Sequence, residues 1–121
     1  MLFPSLLALS LARLATPFYP NPQQELELHG IKLACGATLE SESQSKCYAA
    51  GIQAVVEGKK FTAYTPEMCG LTLSAQSQAT CYFQMIAVVG DPSLNADKEK
   101  CAASGSWETK AECIRDAFLR F

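Results

Sequence analysis

Apolar residues recur along the chain with helical spacing, and one pattern appears three times. Each copy places apolar side chains at positions i, i+4 and i+7, which lie on one face of an α-helix. The three stripes are Tyr48/Ile52/Val55, Tyr82/Ile86/Val89 and Ile114/Phe118/Phe121. An earlier run from Gln23 to Cys35 predicts one more helix, interrupted at Gly30. The pattern as a whole predicts an all-α fold in which helices alternate with short turns.

Small and polar residues between the helices predict where each helix ends and the next begins. Gly36 and Gly70 are expected to adopt the left-handed conformation that ends many helices. Hydroxyl side chains then offer N-caps for the second helix of each pair. These candidates are Thr38 or Ser41, Thr72 or Ser74, and Ser104 or Ser106. Ser41 with Gln44 also matches the capping-box pattern.

The segments between the repeats carry a second set of signals. Gly58 and Gly90 predict the ends of two helices. Thr65-Pro66-Glu67 predicts the start of a short helix that ends near Cys69, with the proline at its first position. Ser93 predicts the start of another leading helix in the same way. The predicted order is helix, turn, helix, three times over, and the leading helix of the second unit is the shortest.

All six cysteines follow the repeat, in pairs whose members lie twelve positions apart. The pairs are Cys35/Cys47, Cys69/Cys81 and Cys101/Cys113. An even cysteine count in a chain with an apolar start is typical of a disulfide framework. Residues twelve apart on one straight helix are about 18 Å apart, whereas a disulfide needs Cα atoms within about 7 Å. Local pairing therefore requires an α-hairpin, while bonds between units, such as Cys47 to Cys69, are the alternative.

These repeats predict the architecture and the domain organisation. We expect three disulfide-stapled helical hairpins, stacked as a short solenoid or a compact helical bundle. The units should span residues 23–58, 59–90 and 91–121, which together form a single domain over residues 23–121. Residues 16–22 contain three prolines and predict an extended linker before that domain.

The first fifteen residues are rich in leucine, and this composition predicts a secretory signal peptide over residues 1–15. The apolar run is about as long as a signal h-region and is too short to span a bilayer. No later run reaches the ~18 apolar residues of a membrane helix, so no integral membrane segment is expected in the mature chain. Together with the disulfides, this segment predicts a secreted or periplasmic protein.

Charge and cysteine spacing argue against several classes of function. Twelve acidic and ten basic residues leave a net charge of −2, and no basic cluster of the kind that binds nucleic acid occurs. Structural zinc sites usually bring two ligands within about four residues of each other, and thiol-disulfide catalysis usually uses a C-x-x-C pair. Neither spacing is present. We therefore expect no metal, no cofactor and no nucleic-acid partner.

Three aromatic residues at unit boundaries are the candidates for contact with a protein partner. Trp107, the sole tryptophan, stands at the turn-to-helix corner of the third unit, where the other units have Ser41 and Ala75. Phe61 and Tyr64 precede the short middle helix and follow two lysines. Exposed aromatic residues anchor many interfaces. The alternative is structural: Trp107 would pack over the end of the core, and the other two would cover the junction between units.

The repeat also carries a resemblance to a known group of proteins. The segment from Met68-Cys69-Gly70 to Cys81-Tyr82, with Lys60-Phe61 ahead of it, resembles the uncharacterised cysteine-repeat proteins that predatory and related bacteria export. The resemblance covers residues 35–121. It implies an envelope or extracellular location and brings neither an established activity nor site residues.

These observations lead to three hypotheses about function. The first is an exported structural or protein-interaction module without catalytic activity, in which the stripes meet in a solid core. The second is a carrier of small apolar ligands, in which the stripes enclose a cavity. The third is a hydrolase that uses His29, the only histidine, with nearby carboxylates. No residue stands out as a catalytic partner for His29, and neither the partner nor the oligomeric state is predicted.

Overall fold

The structure, a computed structural model, describes residues 19–121. These residues form six α-helices: α1 (Pro22–Gly36), α2 (Ser41–Val56), α3 (Phe61–Gly70), α4 (Ala75–Val89), α5 (Pro92–Ala102) and α6 (Trp107–Arg120). Consecutive helices pair as three hairpins, called units 1, 2 and 3 below. The predicted all-α fold is confirmed. The predicted signal peptide, and the linker up to residue 18, lie outside the described residues.

Each hairpin is closed by the predicted local disulfide. The bonds are Cys35–Cys47, Cys69–Cys81 and Cys101–Cys113, with Cα–Cα distances of 5.5, 5.6 and 5.5 Å. They use all six cysteines, so the alternative of bonds between units is wrong. Each bond closes a loop of about 13 residues and contributes roughly 3 kcal/mol by the chain-entropy estimate. The staples therefore contribute substantially to the stability of so small a domain.

Left-handed residues occur between the units and not in the turns within them. Gly58 and Gly90 have φ angles of 77° and 71°, and no other residue from 19 to 121 has a positive φ. Both end a second helix, as the sequence predicts. The expectation for Gly36 and Gly70 is wrong, because each is the last residue of a right-handed helix.

The hydroxyl residues of the turns divide between closing one helix and starting the next. Thr38 and Thr72 each donate a side-chain hydrogen bond of 2.8 Å to the carbonyl of the unit's first cysteine. They therefore close the first helix of the unit. Ser74 and Ser106 accept a bond from the backbone N–H three residues later and are N-caps, as predicted. In unit 1 the N-cap position is held by Glu40, without a side-chain cap bond.

The predicted capping box of Ser41 and Gln44 is wrong. Gln44 instead donates its amide to the carbonyl of Thr38 at 2.6 Å, because its side chain reaches back over the turn. A capping box does form at the start of α1, where Asn21 and Gln24 bond each other's backbone N–H groups. The first helix therefore begins inside the predicted linker.

Two leading helices start earlier than predicted. α3 begins at Phe61, and Pro66 lies inside it rather than at its start. A proline in a helix removes one backbone hydrogen bond, but the side chains around it are packed into the core, which offsets that loss. α5 starts at Pro92 rather than at Ser93, because the Asp91 side chain accepts from two backbone N–H groups of the first turn. α3 is the shortest helix of the described region, as predicted.

Units 1 and 2 pack around a local twofold axis. Two of the hydrogen bonds that cross the junction are equivalent to each other in the repeat. The N–H of Leu39 donates to Ser77 Oγ at 3.3 Å, and the N–H of Leu73 donates to Ser43 Oγ at 2.8 Å. On the axis the two disulfides touch, with 3.7 Å between the nearest Sγ atoms. The turns and staples of the two units therefore form one joint structure.

The helices of units 1 and 2 approach closely because glycines lie at their crossings. A Cβ at Gly51 of α2 would stand 2.7 Å from Met68 Sδ of α3 and 2.8 Å from Ile31 Cγ2 of α1. A Cβ at Gly30 of α1 would stand 3.0 Å from Val88 Cγ1 of α4. α1 runs unbroken through Gly30, so the predicted interruption there is wrong. The glycine allows close packing instead of ending the helix.

Unit 3 packs on a different face of unit 2. The rings of Tyr82 on α4 and Phe118 on α6 are 5.6 Å apart, and those of Phe61 on α3 and Phe121 are 5.8 Å apart. A regular solenoid repeats one junction along the array, whereas these two junctions use different faces of α4. The six helices accordingly form a compact bundle, with α4 packed between the other units.

The repeated apolar stripe is not buried equally in the three units. Tyr82 and Ile86 of α4 are buried, as are Ile114 and Phe118 of α6. Ile52 of α2, at the equivalent position, is 46 % exposed. The expectation that all three stripes lie wholly in the core is therefore wrong, because Ile52 of unit 1 lies outside it although Val55 is buried, and Phe121 of unit 3 is 49 % exposed.

Candidate functional site

The three turns lie at one end of the bundle, called the turn end below. The turns of units 1 and 2 are joined there by the hydrogen bonds of Leu39 and Leu73. The first turns of α4 and α6 lie side by side and flank one shallow depression, which Ala75 and Glu108 border. The turn before α6 is therefore at the same end.

Large apolar side chains are exposed at the turn end. Leu39 is 63 % exposed, Leu73 55 %, Leu71 47 % and Trp107 41 %. Single exposed leucines are ordinary on protein surfaces. Four large apolar residues at one end of so small a domain are, however, typical of a contact surface.

Hydrogen bonds and disulfides hold this end in place. The backbones of Leu39 and Leu73 are tied to the opposite unit, and the two touching disulfides lie beneath them. The Glu40 carboxylate accepts a hydrogen bond from Ser77 Oγ. Hydrogen bonds from Ser77 and then Ser74 lower the pKa of this carboxyl, which favours the ionised acceptor. The exposed leucines are thus held on a braced backbone before any partner binds.

Trp107 contributes an aromatic ring to the turn end. It is the first residue of α6, directly after the N-cap Ser106. The Lys110 ammonium lies 5.3 Å from the ring centre and also donates to the carbonyl of Ser104. A cation over an indole is attracted by the negative face of the ring. The ring is therefore supported by Lys110 while much of it faces solvent.

The other two aromatic candidates lie elsewhere. Tyr64 is only 1 % exposed, so its side chain is not on the surface. Phe61 is half-buried against Phe121 and covers the junction between units 2 and 3. This is the structural alternative that the sequence left open for Phe61. Phe61 and Tyr64 therefore do not form one site with Trp107.

Phe61 and Tyr64 border a crevice at the end opposite the turns. Its volume is about 240 Å³. The lining residues are Gln23, Leu26, Glu27, Gly30, Phe61, Tyr64, Met85, Val88 and Val89. The Tyr64 hydroxyl is buried and has no hydrogen-bond partner within the described part of the chain. A buried hydroxyl without a partner costs about 1–3 kcal/mol, and only an acceptor that reached this solvent-inaccessible oxygen would recover part of that cost.

Burial also sets the protonation of the groups around this crevice. Burial raises the pKa of the Glu27 carboxyl, against a smaller opposing effect of a hydrogen bond with Gln23. Burial raises the pKa of the Tyr64 phenol as well, and the negative charge of Glu27 adds to that rise. Tyr64 therefore keeps its proton at physiological pH.

His29 does not lie among groups that would make it catalytic. It is exposed and borders an open depression together with Lys32, Leu33 and Tyr48. No carboxylate lines that depression, so the geometry gives the hydrolase hypothesis no support. In residues 19–121 no cluster of three or more His, Cys, Asp or Glu side chains is placed to hold a metal ion.

The leucines of the turn end were missed by the sequence argument, although one signal was present. Leu39 and Leu73 follow the first cysteine of their units at the same spacing and so occupy the same repeat position. The third unit has Gly105 at that position. An apolar residue repeated inside a polar turn is the sign of an exposed contact residue, whereas a stripe along a helix is usually core.

Comparison with known proteins finds no match for this chain among family models, curated proteins or solved structures. None of the helices described in residues 19–121 has both the length and the apolar character needed to cross a membrane. The three disulfides indicate an oxidising compartment. Any function must therefore be argued from the residues themselves.

Proposed function

We propose that the protein is an exported, non-catalytic structural or protein-interaction module whose contact surface is the turn end. The disulfides support a secreted or periplasmic location, because such bonds are rare in reducing compartments. The observation that carries the proposal is the set of exposed apolar residues around Leu39, Leu73 and Trp107.

The construction of the turn end supports this role. Binding costs free energy for every flexible group that must be ordered, so a surface held in place before binding loses less. The leucines stand on turns that are stapled by disulfides and tied across the twofold axis. Apolar and aromatic anchors of this kind supply most of the affinity at many interfaces.

A capture experiment with matched variants tests the proposal. The oxidised protein is immobilised, and proteins retained from the native envelope or culture fluid are quantified by mass spectrometry. Leu39→Ser, Leu73→Ser and Trp107→Ser are expected to lower retention of the specific partner by about tenfold or more, or about 1.4 kcal/mol. Leu119→Ser is the control, because Leu119 is 65 % exposed and lies away from the turns on α6.

Folding must be checked in parallel. All four variants should keep the thermal melting curve of the parent within a few degrees, because the replaced side chains are exposed. Equal retention by the Leu39, Trp107 and Leu119 variants would show that the turn end is not the contact surface.

A second candidate function is the binding of a small, mostly apolar ligand in the crevice. The unpaired Tyr64 hydroxyl favours it, because a ligand acceptor that displaces the side chains over this hydroxyl would give it a partner. Apart from Gln23 and Glu27, the crevice lining is largely apolar. The volume of about 240 Å³ lies below the ~300–1,000 Å³ of sites for drug-sized ligands, so the ligand would be smaller. Small ketones and esters should raise the melting temperature of the parent but not that of Tyr64→Phe. Equal shifts in both proteins would rule out Tyr64 as the ligand donor.

A further inference from the structure

The junction between units 2 and 3 joins like faces of equivalent helices. α4 and α6 are the second helices of their units, and their stripes coincide when the units are aligned on their cysteines. Tyr82 of the α4 stripe contacts Phe118 of the α6 stripe. Ala79 and Ala111, also equivalent in this alignment, are both buried. The same face of the repeat therefore packs against a second copy of itself inside the chain.

Unit 1 carries two residues of this face on α2, Tyr48 and Ile52, and has Ser45 where units 2 and 3 have alanine. Tyr48 donates its hydroxyl to the carbonyl of Lys32 at 3.4 Å. Tyr82 donates to the carbonyl of Pro66 at the same distance. Tyr48 and Tyr82 occupy the same position in the repeat, and so do Lys32 and Pro66. The two tyrosines are therefore placed alike on their units.

The faces of α4 and α2 also differ in how deeply their residues are buried. Ile86 is completely buried, whereas its equivalent Ile52 is 46 % exposed. Val56, one turn further along α2, is 49 % exposed and extends this surface, although its repeat equivalent is Gly90 and the stripe residue Val55 is buried. A shallow apolar depression lies between Tyr48, Ile52 and Leu28 of α1. Of the two equivalent faces, only that of unit 2 is covered by the described chain.

We propose that the α2 face, defined by Tyr48, Ile52 and Val56, pairs with the α2 face of a second copy of this chain to form a twofold dimer. The junction of units 2 and 3 shows that this type of face pairs with its own kind, and a second copy brings an identical face. Identical surfaces that pair with each other close as a symmetric dimer. Because the net charge is only −2, the long-range electrostatic repulsion between two copies is weak.

The pairing is expected to be weak. A single helix face is a small contact beside the ~1,200 Å² typical of the smaller stable interfaces, so we expect a dissociation constant of about 10 µM to 1 mM. Unit 2 gains additional contacts from Phe61 against Phe121. Unit 1 has Glu27 at the position equivalent to Phe61 and lacks that aromatic contact.

Sedimentation equilibrium of the oxidised full chain over this concentration range tests the proposal. The average mass should rise with concentration toward twice that of the monomer. Ile52→Glu should weaken association by about a hundredfold and leave a monomer throughout the range. Leu119→Glu is the matched control, since Leu119 is also exposed on a second helix, and it should associate like the parent.

Chemical-shift mapping on dilution locates the contact. Shifts that change with concentration should cluster around Tyr48, Ile52 and Val56, and clustering at the turn end instead would overturn the proposal. A parent chain that stays monomeric up to about 1 mM would also overturn it. Shielding of the Ile52 methyl groups from a soluble paramagnetic probe in such a monomer would identify residues 1–18 of the same chain as the cover.

Discussion

A methyl group added at Gly51 tests how closely units 1 and 2 are packed. Gly51 lies in the middle of α2, where α2 crosses α3 beneath α1. A Cβ there would meet Met68 Sδ at 2.7 Å and two atoms of Ile31 at 2.8 and 3.0 Å. All three distances are at or below the shortest that real Cβ atoms show, so a neighbour must move.

Two opposing effects decide the outcome of Gly51→Ala. Alanine favours a helix interior over glycine by about 1 kcal/mol. Overpacking a filled core costs about 1–3 kcal/mol, and the upper part of that range applies here. Ile31 is branched at Cβ and stiff, and both it and Met68 are buried. We expect a net loss of about 1–2 kcal/mol.

Gly70→Ala is the matched control. Gly70 is also helical, at the end of α3, and a Cβ there would meet no atom within 4 Å. This variant should be as stable as the parent or up to about 1 kcal/mol more stable.

Guanidinium unfolding with the disulfides intact, followed by circular dichroism, gives both values. Gly51→Ala should lower the midpoint without changing the slope, which reports the surface exposed on unfolding. In thermal melts, the same loss corresponds to about 4–8 °C per kcal/mol for a domain of this size. If Gly51→Ala proves at least as stable as Gly70→Ala, the close packing inferred for this crossing is wrong.

Three further predictions concern the staples and the buried tyrosines. Cys101–Cys113 should be the first disulfide reduced by dithiothreitol, because Cys113 is half-buried, whereas the four cysteines of the other two bonds are completely buried. Differential alkylation with mass spectrometry measures the order of reduction. An equal or reversed order would contradict this prediction. Tyr64→Phe should leave stability unchanged or raise it by about 1 kcal/mol, because it removes a buried hydroxyl that has no partner, and a clear loss in guanidinium unfolding would reveal a missed hydrogen bond. Burial raises the pKa of Tyr82 from 10.0 to about 12, so the stability that its neutral form contributes is complete below pH 10 and is lost as the pH rises through 12. Tyr82→Phe should flatten the stability profile in that window, and an unchanged profile would contradict the assignment.

The hairpins and their staples could be predicted because their causes are local. A disulfide between residues twelve apart requires a chain reversal, and the polar segment between the cysteines permits one. The helix ends at Gly58 and Gly90 could also be predicted, since a connection with positive φ favours glycine. Each of these conclusions needs only the spacing and type of residues close in sequence.

Helix starts and caps were less predictable, because several residues compete for one role. Gln44 fits a capping box but donates its amide to the carbonyl of Thr38 in the preceding turn instead. Pro66 fits a first helical turn but lies within α3, where packing of its neighbours outweighs the lost hydrogen bond. The choice depends on contacts with other units that no local pattern encodes.

By itself, the sequence determined the helical class and the three repeated units, and it favoured local cysteine pairs, which the structure then selected over bonds between units. Only the tertiary structure decided which copy of a repeated position is buried, as Ile86 and Ile52 show. It also placed Tyr64 inside the crevice and Trp107 on the turn end. The physical reason is that helix formation and hairpin closure depend on residues near each other in the chain. Burial depends on which unit packs against which face, and equivalent residues in a finite array have different neighbours.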